Sequence, residues 1–121
     1  MAVRKARASD RARLVGREGE DLAAAWYETN GFEVLARNWR CRAGEIDLVC
    51  RRGTTVVMCE VKARRSDSFG MGIEAVTRTK QQRLRRLAAM WLANSKVGCK
   101  VVRFDVATID RGLIQVFEGA F

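Results

Sequence analysis

Asp47 is followed, after twelve intervening residues, by Glu60-Val61-Lys62. Two acids and a lysine in this order are the side chains that a divalent cation and a phosphate ester require. Magnesium takes oxygen ligands in an octahedron and keeps several waters, so two carboxylates, a main-chain carbonyl and a substrate phosphate make a complete set. In this chain the set is Asp47, Glu60 and the main-chain carbonyl of Val61, with Mg²⁺ or Mn²⁺ as the ion. A cation so held polarises a scissile phosphate and lowers the pKa of a bound water. Lys62 then orients that water or stabilises the developing charge.

Strand side chains alternate between faces, so Glu60 and Lys62 project together while Val61 enters the other layer. Val56, Val57, Met58 and Val61 mark an internal strand, where a charge is costly unless paired or liganded. Residues 45–51 and 54–62 are the two clearest strands, and the short Arg52-Gly53 turn between them predicts a hairpin. With a turn of two or four residues Asp47 stands opposite Met58, and the two acids become diagonal neighbours roughly 7 to 8 Å apart. A three-residue turn rotates Asp47 to the far face.

The remaining elements follow from periodicity. A helix is predicted from Ser9 or Asp10, either a competent N-cap, to the Asn30-Gly31 stop. Leu14, Glu18, Leu22, Ala25, Trp26 and Thr29 share a face whose apolar members form a core stripe. On a second face Gly16, Gly19, Ala23 and Tyr27 surround Glu20, small side chains that permit close approach to a sheet. Residues 32–37 read as a first strand, 38–44 as a polar loop and 63–72 as a flexible one. A long helix over residues 73–94 places Leu84, Leu87, Ala88, Trp91 and Leu92 at core spacing, with Lys80, Arg83 and Arg86 opposite.

Residues 100–109 and 113–117 are the fourth and fifth strands. The order α-β-β-β-α-β-β makes an α/β fold, a mixed central β-sheet of about five strands flanked by two main helices. By alternation Glu45 shares a face with Asp47; Asp105 is assigned a structural role. Residues 1–8 are expected as a flexible basic tail and 9–121 as a single domain.

Lys plus Arg number 23 against 14 Asp plus Glu, a net charge of +9. Guanidinium groups pair bidentately with phosphate and release condensed counterions, so this excess points to a nucleic acid as partner. Histidine is absent, which excludes Ser-His and Cys-His nucleophile pairs, His-ligated zinc and imidazole bases. Cys41, Cys50, Cys59 and Cys99 are too widely spaced for C-x-x-C ligands and are expected as reduced, buried side chains. No apolar run reaches the roughly 18 residues of a membrane span, and Met1 to Asp10 lacks the apolar stretch of a secretory signal. A cytoplasmic location and no membrane contact are expected. Gly70-Met71-Gly72-Ile73-Glu74-Ala75 spells a dinucleotide fingerprint, but its glycines lie several residues beyond the strand and no acid stands about twenty positions on.

Four motifs occur in order: Gly16-x-x-Gly19-Glu20, Asn38-Trp39-Arg40, Gly44-Glu45-Ile46-Asp47-Leu48 and Glu60-Val61-Lys62-x-Arg64. Their order and spacing resemble the YraN-like family of predicted bacterial endonucleases, which is similar to the archaeal Holliday-junction resolvases of the PD-(D/E)XK superfamily. The likeness runs from about Leu14 to Ile109, with Ile46 where the superfamily's name places a proline.

The resemblance implies a restriction-endonuclease-like fold, with Asp47 and Glu60 as metal ligands, Glu20 supporting the metal site and Lys62 as the catalytic lysine. It makes residues 64–72 and Lys80 candidates for contacting DNA, with Ser66 or Ser68 touching phosphate, and by analogy with resolvases it suggests a homodimer. The expected activity is divalent-metal-dependent hydrolysis of DNA phosphodiester bonds, on branched or damaged DNA. The alternative is a non-catalytic nucleic-acid-binding module that keeps the nuclease fold and grips phosphates through Arg64, Arg65, Lys80, Arg83 and Arg86.

Overall fold

The computed structural model describes the backbone of residues 8–64 and 77–121 and the side chains of residues 17–63 and 77–121. Arg65, Ser66, Ser68, the glycine-rich segment to Gly72 and the side chain of Arg64 lie outside the described residues, as do residues 1–7 of the basic tail. The elements are α1 (Ala8–Thr29), β1 (Glu33–Cys41), β2 (Gly44–Arg52), β3 (Thr55–Arg64), α2 (Arg78–Asn94), β4 (Val101–Asp110) and β5 (Leu113–Phe117). One five-stranded sheet has the order β1-β2-β3-β4-β5, with β3 and β4 parallel and every other pair antiparallel. This is the predicted mixed sheet and the predicted element order. The helix expected from Ile73 is described from Arg78 onward.

The helices cover opposite faces of the sheet. Ala23, Ala24 and Tyr27 of α1 pack with Leu48, Cys50, Val57, Cys59, Ala107 and Ile109. Leu84, Leu87, Ala88 and Trp91 of α2 pack with Ile46, Val49, Val56, Met58 and Phe104. Odd positions of β3 therefore face α1 and even ones face α2, so Val61 joins the α1 layer while Glu60 stands on the α2 side.

Three sequence expectations are corrected. The core face of α1 is not the stripe through Leu22, Ala25 and Thr29, which are exposed; it is the small-residue face of Gly19, Ala23 and Tyr27. Close approach explains the choice: a Cβ added at Gly19 would fall 2.8 Å from the Cβ of Ala63. Bulk at that position would push the helix off the sheet. Secondly, residues 38–41 are strand and not loop. β1 runs on to Cys41, with Trp39 paired to Ile46 and a two-residue Arg42-Ala43 turn. Asn38 takes φ +51° within this strand, a left-handed conformation that asparagine tolerates.

Thirdly, the β2–β3 turn is Gly53-Thr54 instead of Arg52-Gly53, since Arg52 pairs with Thr55. Gly53 has φ +61° there, which glycine adopts without steric cost. Met58 consequently faces Val49, not Asp47.

Among the described residues every buried side-chain polar atom has a hydrogen-bond partner. Asp105, fully buried, accepts the Tyr27 hydroxyl at 2.5 Å, both Arg103 Nε and Nη2 at 2.9 Å, and the Gly119 N–H at 2.9 Å. It joins α1, β4 and the chain end after β5, the structural part foreseen for it. All four cysteines are free; Cys50 and Cys59 are buried, whereas Cys41 and Cys99 are partly exposed. Burial pushes the Cys50 thiol up to about 12 and the Cys59 thiol well above its usual range, so both stay protonated packing groups.

Candidate metal and phosphate site

The last ladder pair toward the site is Leu48 with Cys59. Asp47 and Glu60 each lie one residue beyond this pair, and both line the same cleft. There the regular ladder ends, and the Asp47 carboxylate takes the Val61 N–H at 2.8 Å in place of a backbone carbonyl. This bond fixes the Asp47 side chain against β3 and leaves its remaining lone pairs directed toward the cleft. The two-residue turn thus meets the condition that both acids share a face.

Glu60 is 9 % exposed. Its Oε1 lies 3.3 Å from Lys62 Nζ and 2.5 Å from Lys80 Nζ. Lys62 comes from the same strand two residues on, as alternation requires. Lys80 comes from the first turn of α2. The cleft between them has a volume of about 200 Å³ and is lined by Glu45, Asp47, Glu60, Lys80, Arg83, Leu84 and Leu87. Helix α2 supplies one wall, with Lys80, Arg83, Leu84 and Leu87, and β2 and β3 the other, with the acids; the apolar leucines lower the local dielectric around the charges.

The electrostatics are strained on the acidic side. The Asp47 carboxyl is raised to about 7 by burial first and by the Glu60 charge second; the Val61 N–H opposes this, and Glu20 and Glu45 add to it. Burial, and then the neighbouring Lys80, hold Lys62 below the ordinary lysine range. Lys80 is also penalised by burial, but its bonds to Glu60 outweigh that and raise it. Both ammonium groups are partly shielded, with side-chain exposures of 23 % and 29 %.

Glu20 and Glu45 stand at the margin. Glu20 accepts a hydrogen bond from Asn38 Nδ2 at 2.6 Å, so the left-handed Asn38 of β1 locates an acid of α1. An adjacent ion pair between Arg37 and Asp21 holds the same strand and helix together. Glu45 is paired with Arg40 Nε at 2.8 Å. Among the described residues no three acidic or cysteine side chains converge to hold a metal ion unaided. The donors that do converge, Asp47 and Glu60, are all oxygen, which suits a hard cation that keeps its own waters. Lys80 stands on Glu60 as a positive charge where such a cation would sit.

Asp47, Glu60, Lys62, Lys80 and Arg83 are therefore brought together, with Glu20 close enough to perturb Asp47. Lys80 and Arg83 were read as the face of α2 opposite the core; they line the cleft beside Leu84 and Leu87. Sequence reasoning missed the Lys80–Glu60 contact and the Asn38–Glu20 bond. Both join residues far apart in the chain, and no periodic signal carries them.

Residues 19–109 match the profile described as Uncharacterised protein family UPF0102. The chain belongs to this family. A UPF0102 protein of Beutenbergia cavernae is 53% identical over 97 residues, which cover 80% of this chain and 82% of that protein. One from Acidothermus cellulolyticus is 48% identical over 122 aligned positions, covering 88% and 92%. Another, from Parafrankia sp., is 50% identical over 97 residues, covering 80% and 82%. The UPF0102 match opens at Gly19 and closes at Ile109, which lie against each other in the α1–sheet contact. It includes Glu20, Asp47, Glu60, Lys62, Lys80 and Arg83.

Proposed function

We propose that this UPF0102 protein is a divalent-metal-dependent nuclease that hydrolyses DNA phosphodiester bonds, on branched or damaged DNA, in the cytoplasm. The observation that carries the reading is that Asp47 and Glu60 line one cleft with Lys80 and Arg83, while Lys62 stands 3.3 Å from Glu60. Two carboxylates in that position repel each other unless a cation or proton lies between them. The motif order shared with PD-(D/E)XK nucleases and the net charge of +9 support the same conclusion.

Asp47 and Glu60 would hold Mg²⁺ or Mn²⁺, joined by the Val61 carbonyl, and Glu20 would act on the site through Asp47. The bound ion supplies Lewis-acid activation of the phosphate and of a water. Asp47 is preorganised for this by the Val61 N–H. Lys62, kept below the ordinary lysine range, is suited to orient a nucleophilic water or to meet developing charge on the phosphate. Arg83, projecting from the cleft wall, offers a forked donor to a non-bridging phosphate oxygen. Arg64, Arg65, Ser66 and Ser68, which follow Lys62 in the sequence, are assigned to the DNA backbone.

The test is cleavage of labelled linear duplex and four-way-junction DNA with Mg²⁺ and with Mn²⁺. Metal-dependent cutting is expected, reduced at least about a hundredfold in Asp47→Ala or Lys62→Ala, the range of losses for electrostatic catalytic groups. Cutting that survives Asp47→Ala removes that residue from the site. One observation favours the non-catalytic alternative: Lys62 and Lys80 already neutralise Glu60 without a metal. That reading predicts DNA binding unaffected by divalent ions and no cleavage.

A further inference from the structure

Lys80 occupies an unusual place for a cation. Thr77 caps α2, its hydroxyl accepting the Lys80 N–H at 3.2 Å, so Lys80 is the third residue of the helix. A capping box has Glu or Gln there, and the partial positive charge of a helix N-terminus disfavours lysine; yet the first turn of α2 holds no acid. What retains the ammonium is Glu60 across the cleft, 2.5 Å away. Lys62 approaches the same Oε1 at 3.3 Å. Two ammonium groups thus crowd one carboxylate oxygen, beside the half-buried acid Asp47.

Resting on the metal-binding reading above, we propose that Lys80 is an internal counter-ion that holds the cation position between Asp47 and Glu60, is displaced from Glu60 by a divalent ion, and then receives the substrate phosphate. The exchange suits the residues. A lysine ammonium is a point charge on a flexible four-carbon stem, so it can leave Glu60 while α2 stays docked through Leu84 and Leu87. Lys62 is tied to β3 and remains beside Glu60. The freed Lys80 and Arg83 then present two positive groups on one wall of the cleft, a setting for an anion. The charge that keeps the empty site stable thereby becomes the charge that recruits the substrate.

The test is calorimetric titration of Mg²⁺ and of Mn²⁺, without DNA, into the full-length protein and its Lys80→Met and Arg83→Met variants. Lys80→Met is expected to bind the ion about tenfold more tightly than the wild type, which is about 1.4 kcal/mol. Arg83→Met, which removes a charge from the same cleft but no contact to Glu60, should shift affinity by a much smaller factor. In the wild type the Cε–Hε resonance of Lys80 should move and saturate with metal occupancy. Equal affinities of wild type and Lys80→Met, an equal gain in Arg83→Met, or a Lys80 resonance unmoved at saturation would each overturn the exchange while leaving metal binding in place. No binding to any of the proteins would overturn both readings.

Discussion

At the scale of single residues, Asp47 couples the site to pH. Its carboxyl is raised to about 7, by burial first and the Glu60 charge second. An unfolded aspartate titrates near about 4. Between those values the folded protein binds more protons than the unfolded chain, so stability of the metal-free protein falls as pH rises from about 4 to about 7 and then levels off. Asp47→Asn keeps an oxygen for the Val61 N–H but removes the charge. It should stabilise the metal-free protein at pH 8 by roughly 1 to 2 kcal/mol in urea unfolding and abolish Mg²⁺ binding. An Asn variant less stable than the wild type at that pH would show that Asp47 is not under electrostatic strain. Because binding requires the carboxylate, metal affinity rises through the same pH window.

At the scale of elements, the site depends on how closely α1 approaches the sheet. Gly19 is the point of contact, and the Ala63 Cβ it would meet is fixed to the backbone of β3. Gly19→Ala gains helix propensity of about 1 kcal/mol yet overpacks a rigid contact, which costs about 1 to 3 kcal/mol. The variant should unfold at lower urea concentration than the wild type, and its weaker hold on Glu20 should show in the Glu20–Asn38 contact. A Gly19→Ala protein of raised stability would mean that α1 yields without cost.

The same helix shows why its face was misjudged from the sequence. Leu14 and Leu22 dominate the apolar periodicity, whereas the face that docks consists of Gly, Ala and one Tyr, chosen for thinness over bulk. β3 and β5 were legible because alternation and β-branched composition agree. The end of β1 was hidden by Asn38 and Arg40, polar side chains whose partners, Glu20 and Glu45, come from α1 and β2. The meeting of Asp47 and Glu60 followed from a two-residue turn, but the register of the hairpin did not, since either Arg52-Gly53 or Gly53-Thr54 satisfies the pattern. Lys80 reaches Glu60 only through the crossover, and local spacing contains no trace of that.

At the scale of the whole molecule, the chain carries a net charge of +9, and its cleft holds Glu45, Asp47 and Glu60 beside Lys80 and Arg83. Association with DNA should therefore depend steeply on salt. If the cleft wall and neighbouring arginines engage about five phosphates, log K falls against log salt with a slope of about −4 to −5. Fluorescence anisotropy of labelled duplex across a salt series measures this, and a flat response would exclude phosphate contact as the source of binding. Among the described residues no helix is long and apolar enough to cross a membrane.

The parallel β3–β4 pairing has a consequence for assembly. Asp47 and Glu60 are brought together by a hairpin that closes over Gly53 and Thr54. Lys80 belongs to the crossover that carries the chain from β3 to the parallel β4, twenty residues beyond Glu60. Short loops close before long ones, because closure entropy grows with length. The folding chain therefore brings two acids together with only Lys62 beside them, before Lys80 is in reach. That repulsion is a toll on the folding rate, lowered by protons or by a divalent ion in solution, so refolding should quicken from pH 8 to pH 5 and on addition of Mg²⁺.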